Sequence, residues 1–277
     1  MKFKVVDIDN IFDTFLVNYI RENSGKLTEK EWEEKIPVLY LDFGEEKLEE
    51  LDGYAPNEYY CKATGKDLAD LLKQHVEQKV PVSDFLCEAL ISSDCEKYLV
   101  DYIGMEESEE LVCYCVNILN DKRCVLAFDR YFDLILSENT GEDLKELLAE
   151  ALASNPEHAK EKALKLYDEA GSSSIYFLEI FSLCKHDDRI LNILVNELKN
   201  HLNDIPLYLT YITRYGDEKA LPHLLEVIKN PSINYSDFRE LKFAVELFGG
   251  SYEEERDFSG DKYYNKLKGN KNEDINN

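Results

Sequence analysis

Apolar residues recur along this chain at i, i+3, i+4 and i+7, and scarcely anywhere at every second position. Ile8, Ile11, Phe12, Phe15, Leu16 and Tyr19 form the first stripe, the spacing that gathers side chains on one face of an α-helix. Leu68, Leu71, Leu72, His75 and Val76 form a second, and Val82, Phe85, Leu86, Ala89 and Leu90 a third. Leu111, Val112, Cys115, Ile118 and Leu119 continue the series, followed by Val125, Phe128, Phe132 and Ile135. Leu144, Leu147, Leu148 and Ala151 come next, then Ala163, Leu166, Tyr167 and Ala170. Each stripe spans about three turns, a length that needs a packed neighbour to stay helical. Start signals agree: Thr28 with Glu31, Thr64 with Asp67 and Thr140 with Asp143 have the spacing of a capping box or its Asp variant. Gly104, Gly141, Asn155-Pro156, Gly171-Ser172-Ser173, Gly216 and Asn230-Pro231 supply short breaks. The pattern predicts an all-α chain of many short helices.

Three regions follow. Residues 1–62 read as an irregular N-terminal helical cap, because Pro37, Gly44, Gly53 and Pro56 interrupt 21–62. Residues 63–259 read as helical repeats. Residues 260–277 read as a disordered tail, since after Tyr264 there is almost nothing to bury. Within the cap, the tyrosine-flanked turn from Leu51 to Tyr60 either forms a docking loop or folds back over an open apolar end.

The repeats show themselves once without ambiguity. HDDRILNILVNELKN (186–200) and GDEKALPHLLEVIKN (216–230) align without a gap. Asp187 stands over Asp217, Leu191 over Leu221, Leu194 over Leu224, Lys199 over Lys229 and Asn200 over Asn230. Each is followed by a second candidate helix, at 205–215 and 235–248. A period near thirty residues built of helix pairs marks a solenoid, because one pair cannot bury its own apolar face. Residues 216–250 resemble a HEAT repeat of the short bacterial kind: Gly-Asp-acid-base-Ala-Leu-Pro, then Leu224-Leu225, Asn230-Pro231, and a second helix ending in glycine at Gly249. Residues 186–215 resemble it more loosely, lacking a counterpart of Pro222. The resemblance implies an α-α superhelix, and it covers about a quarter of the chain. The Trp/Gly/Tyr pattern of tetratricopeptide repeats is absent.

Charge narrows the partners. With 57 acids against 32 bases the net charge is −25, the wrong field for DNA, RNA or an anionic membrane. A protein or peptide partner, a basic one included, remains. No run approaches the roughly 18 apolar residues of a membrane span, and MKFKVVDIDNIFDTF lacks the h-region of a signal peptide. Seven cysteines, with no C-x-x-C and several on apolar stripes, suit reduced thiols in a cytoplasmic protein.

Chemistry finds little footing. The chain holds no G-x-x-x-x-G-K, G-x-G-x-x-G, G-x-S-x-G or H-E-x-x-H. Deoxyhypusine hydroxylase, an enzyme built on HEAT repeats, resembles a di-iron protein liganded by His-Glu dipeptides, and none occurs here. HEAT-like DNA glycosylases rely on a basic surface that this composition lacks. Cys184, His186, Asp187 and Asp188 are the best metal candidates, yet they straddle a helix start, where Asp187 or Asp188 serves as N-cap, and the next repeat keeps only the acids. His75 lies on an apolar stripe and reads as a core histidine. No catalytic residue, cofactor or metal is assigned.

A binding face is the remaining expectation. Solenoids grip partners on a concave surface lined by the second helix of each pair. Tyr208, Tyr211 and Tyr215 share one side of 205–215 with Arg214 beside them, and the equivalent helix carries Phe238, Arg239 and Lys242. Tyrosine and arginine are frequent interface anchors. The same periodicity also makes Tyr208, Tyr211, Ile212 and Tyr215 an inter-helix packing stripe. The expected role is a non-catalytic scaffold binding protein or peptide. The alternatives are an enzyme or metal-dependent protein with a site assembled from distant residues, or a structural homo-oligomer subunit. The sequence leaves the oligomeric state open.

Overall fold

A computed structural model of the chain describes residues 3–105 and 108–273, and the chain divides into two compact units, Met1–Ala151 and Leu152–Asn277. Unit one runs α1 (Ile8–Glu22), α2 (Glu29–Phe43), α3 (Pro56–Tyr60), α4 (Gly65–Gln78) and α5 (Asp84–Ser92). It continues with α6 (Glu96–Ile103), α7 (Glu109–Asp121), α8 (Phe128–Leu136) and α9 (Glu142–Ala153), whose last turn holds the division. Unit two runs α10 (Pro156–Leu166), α11 (Ser174–Ser182), α12 (Asp188–Asn200) and α13 (Ile205–Tyr215). It ends with α14 (Leu221–Val227), α15 (Tyr235–Leu247) and α16 (Lys262–Glu273). No strand forms among the described residues; Leu48 and Tyr54 make an isolated bridge. Helices pack on their neighbours in sequence, so the fold class is all-α, of the helical-repeat kind. No described helix is long and apolar enough to cross a membrane.

In unit two α12 packs on α13 and α14 on α15, while α13 touches both α11 and α15. The second helices therefore form a layer of their own, α11–α13–α15. The written repeat is also a repeat of hydrogen bonds. Asp187 accepts the Arg189 N–H at 3.0 Å, and thirty residues on Asp217 accepts the Lys219 N–H at 3.0 Å. Leu191, Leu194 and Leu198 are buried from α12, and Leu224 and Ile228 from the next unit of the repeat. Gly216 ends α13 at φ +70° and Gly249 follows α15 at φ +78°, a left-handed turn that glycine enters without steric cost.

The same period runs where the sequence hides it. Tyr102 to Asp70, Lys122 to the Ile91 carbonyl, and Gly141 to Glu109 are hydrogen bonds of unit one linking residues 32, 31 and 32 apart. In unit two Lys185 to Glu157, Tyr167 to Glu197 and Lys219 to Asp188 link residues 28, 30 and 31 apart. Each joins a point on one pair to the matching region of the next.

Two expectations change, and burial decides between the two readings of the Leu51–Tyr60 turn. Residues 29–43, read as part of an irregular cap, form a continuous helix with Pro37 inside it, started by the Thr28/Glu31 capping box. Aromatic burial outweighs the proline: Phe12 meets Tyr40 and Phe43 edge-on at 4.9 and 5.3 Å, and Tyr19 meets Trp32 at 6.2 Å. The Leu51–Tyr60 turn is not a docking loop, since Tyr59 and Tyr60 are fully buried and the Tyr59 hydroxyl accepts the Lys4 N–H at 2.8 Å. The tail read as disordered from residue 260 is helical over Lys262–Glu273. Asp261 caps it, accepting the N–H groups of Tyr263 and Tyr264 at 2.8 and 2.9 Å, and the Tyr264 ring packs 4.8 Å from that of Tyr235. Residues 274–277 lie outside the described ones.

Candidate functional site

α13 and α15 each bury one apolar stripe, and α15 leaves two further large apolar residues outside it. On α13 the stripe Ile205, Tyr208, Leu209, Ile212 and Tyr215 is buried, and on α15 the stripe Phe238, Leu241, Ala244 and Val245. Three residues expected on a binding face are thereby removed from it. The Tyr208 ring stacks on His201 at 4.9 Å. The Tyr215 hydroxyl accepts the Asp187 N–H and donates to the Asp187 carbonyl at 3.0 Å, tying the end of α13 to the start of α12. Phe238 packs against Phe258 at 5.1 Å with the Arg256 guanidinium 4.9 Å over its ring. Periodicity explains all three: each lies on the side of its helix that meets a neighbour.

The opposite side stays open. Tyr211 and Lys242 are half-buried, and Arg214 and Arg239 are exposed. Arg214 reaches across the seam to Glu179 of α11 and lies 3.4 Å from the Ser182 hydroxyl. The Arg239 guanidinium stands 6.0 Å from the Tyr235 ring, and among the described residues neither Arg239 nor Lys242 forms an ion pair. Beside them stand two residues outside the expected face: Phe243, 65% exposed, and Leu247, 59% exposed, one turn apart on α15. Leu207 of α13 is exposed as well. The signal existed in the sequence, because Phe243 and Leu247 fall off the stripe that runs from Phe238 through Leu241 and Val245. Arg239, Phe243 and Leu247 follow at i, i+4 and i+8, which makes one surface row.

The metal candidates disperse. Cys184 is buried, its thiol donating to the Ile180 carbonyl at 3.3 Å, and burial with the nearby Glu157 charge pushes it up to about 12. Asp187 caps α12 and also receives the Arg189 side chain, which holds its carboxyl down at about 2. Asp188 pairs with Lys219 at 2.6 Å, while His186 is exposed, 3.6 Å from Asp217. Among the described residues no three His, Cys, Asp or Glu side chains are grouped so as to hold a metal ion. His75 is buried with Nδ1 donating to the Pro81 carbonyl at 2.8 Å, which leaves Nε2 without a partner, and burial lowers its pKa. The chemistry available on the open side of α13 and α15 is that of contact: apolar surface, the cations of Arg239 and Lys242, which form no ion pair among the described residues, the exposed Glu246 beside them, and a half-buried tyrosine. No protein-family model, curated protein or solved structure matches the chain.

Proposed function

We propose that the chain is a non-catalytic, HEAT-like helical-repeat protein that binds a segment of another protein on the open side of α13 and α15. The observation that carries this reading is the row Arg239, Phe243, Leu247. Two large apolar side chains, each more than half exposed, stand next to cations that form no ion pair among the described residues. A surface of that kind loses unfavourable hydration when an apolar partner covers it. Its cations select carboxylates on the partner. The occupant that fits is an amphipathic segment with two apolar residues one helical turn apart and an acid beside them. A cytoplasmic setting belongs to the same reading, since none of the seven cysteines is in a disulfide among the described residues, which suits a reducing compartment.

A random-peptide display selection tests it, run on the native chain and counter-selected on Phe243→Ser/Leu247→Ser. The expected consensus holds an apolar pair at i, i+4 with Asp or Glu nearby, and its affinity falls about tenfold or more in the double variant. Arg239→Glu slows association and reverses the salt dependence. Peptides that bind native and double variant equally, or no enrichment at all, would overturn the reading.

A further inference from the structure

Unit one holds a groove of about 580 Å³ between α1 and α2, with the first turn of α5 at one end. Its floor is apolar: Phe12 from α1, and Ile36, Pro37, Tyr40 and Leu41 from α2. Tyr40 is fixed in place, stacked on Phe85 at 4.8 Å and edge-on to Phe12 at 4.9 Å, with its hydroxyl donating to Asp9 at 3.2 Å. Leu41 is 66% exposed and Val38 beside it 45%, so the α2 lip offers apolar surface to whatever enters.

The rim carries Asp9, Asp13 and Asp84, and no lysine or arginine lines the groove. None of the three carboxylates forms an ion pair among the described residues. They are close enough to feel one another. Partial burial first, then the charges of Asp84, Asp7 and Asp13, raise the Asp9 carboxyl above its ordinary value, against the pull of the Tyr40 hydrogen bond. A cation placed among them relieves that repulsion. An apolar floor with carboxylates at its edge matches the anatomy of lysine and arginine, whose hydrocarbon stems lie on apolar surface while the charge reaches out.

We propose that this groove docks a basic amphipathic segment of a partner protein, with apolar side chains and Lys or Arg stems over Pro37 and Leu41 and the cations at Asp9, Asp13 and Asp84. This docking surface is separate from the open side of α13 and α15, and either stands without the other.

Any cationic peptide is drawn to a chain of net charge −25, so the test must separate the groove from the general field. The probe is a labelled peptide of about fifteen residues with Leu and Lys on one helical face, titrated by fluorescence anisotropy at about 0.15 M salt. Asp9→Asn/Asp13→Asn/Asp84→Asn weakens binding about tenfold or more, while Glu33→Gln/Glu34→Gln/Glu58→Gln, with the same change in net charge, costs less than about twofold. Leu41→Asp decides the matter. It adds a negative charge, so attraction by the field alone predicts tighter binding, whereas docking in the groove predicts weaker. Far-UV circular dichroism and Trp32 emission show that each variant is folded. Equal losses in the two triple variants, or tighter binding by Leu41→Asp, would overturn the proposal. So would a homodimer in sedimentation that Leu41→Asp dissolves, which would give the groove to a second copy.

Discussion

The groove of unit one and the open row of unit two are built on the same helix-pair scaffold and differ in the charges beside their apolar residues: carboxylates alone line the first, while Arg239 and Lys242 stand with Glu246 on the second. In the first, Tyr40 and Phe12 floor a cleft edged by Asp9, Asp13 and Asp84. In the second, Phe243 and Leu247 stand on a helix surface beside Arg239 and Lys242. A net charge of −25 describes the far field of the molecule and its solubility. It does not fix the sign of any one face. Partner chemistry is therefore set by which side chains the helix leaves outside its packing stripe, and those differ from pair to pair.

The strongest way to break the scaffold half of this comparison is through its lattice. Leu194 and Leu224 are equivalent positions of consecutive repeats and both are buried. Leu194→Ala and Leu224→Ala are each expected to cost about 2–5 kcal/mol, read from urea unfolding followed by circular dichroism. A loss at only one of the two would mean that the sequence register is not a packing register.

Acid sharpens the contrast between the units. His75 in unit one is held neutral by burial, its folded pKa below the ordinary value. The unfolded chain then binds the proton more tightly, so stability is whole above about pH 6.5 and declines as pH falls below it. Asp187 in unit two is held at about 2 by Arg189. Its contribution is present above about pH 4 and lost as pH falls from there toward 2. Trp32 lies in unit one, in edge contact with Tyr19, and reports that unit alone. Its emission is expected to begin changing at a milder pH than the circular dichroism as a whole. His75→Gln keeps a donor for the Pro81 carbonyl but takes up no proton near neutrality, and removes the early change. An early change that survives His75→Gln would place the acid sensitivity elsewhere.

A smaller effect tests the turns. Gly216 and Gly249 both occupy the left-handed region, and a Cβ at Gly249 has nothing within 4 Å. Substitution there costs only the backbone strain, about 1–2 kcal/mol for Gly249→Ala, seen as a lower urea midpoint with unchanged slope.

The helices announced themselves where apolar spacing was clean, as at Leu68 to Val76 and Leu111 to Leu119. α2 was hidden, because Pro37 and the acidic run around Glu33 look like a break until Phe12 and Phe43 are seen to bury it. α16 was hidden for a related reason: the residue that holds its start, Asp261, works through backbone groups and a contact with Tyr235. The period of thirty is written at 186–230 and elsewhere survives only as hydrogen-bond separations, since a lattice needs volume at its positions and tolerates many residues that fill it. The candidate sites divide in the same way. Arg214, Arg239 and Lys242 are legible by type; Tyr208 and Tyr215 take the packing stripe that their periodicity also allows, Phe238 is buried with its own stripe, and the groove at Asp9 and Tyr40 joins residues too far apart in sequence to be read together.

The smallest expected change is the most informative about the two sides of α15. Leu241 is fully buried, whereas Phe243, two positions on, is 65% exposed and Leu247 is 59% exposed. Removing apolar area that water already touches returns little to solvent on unfolding, so Phe243→Ser/Leu247→Ser is expected to leave stability within about 0.5 kcal/mol per site. Leu241→Ala in the same helix loses the full core contribution. If the double variant instead unfolds at a markedly lower urea concentration, Phe243 and Leu247 are packing residues in the native protein and the open row is not a surface. If stability holds while peptide binding falls, the helix is divided as its burial indicates, with one side holding the repeat together and the other free for a partner.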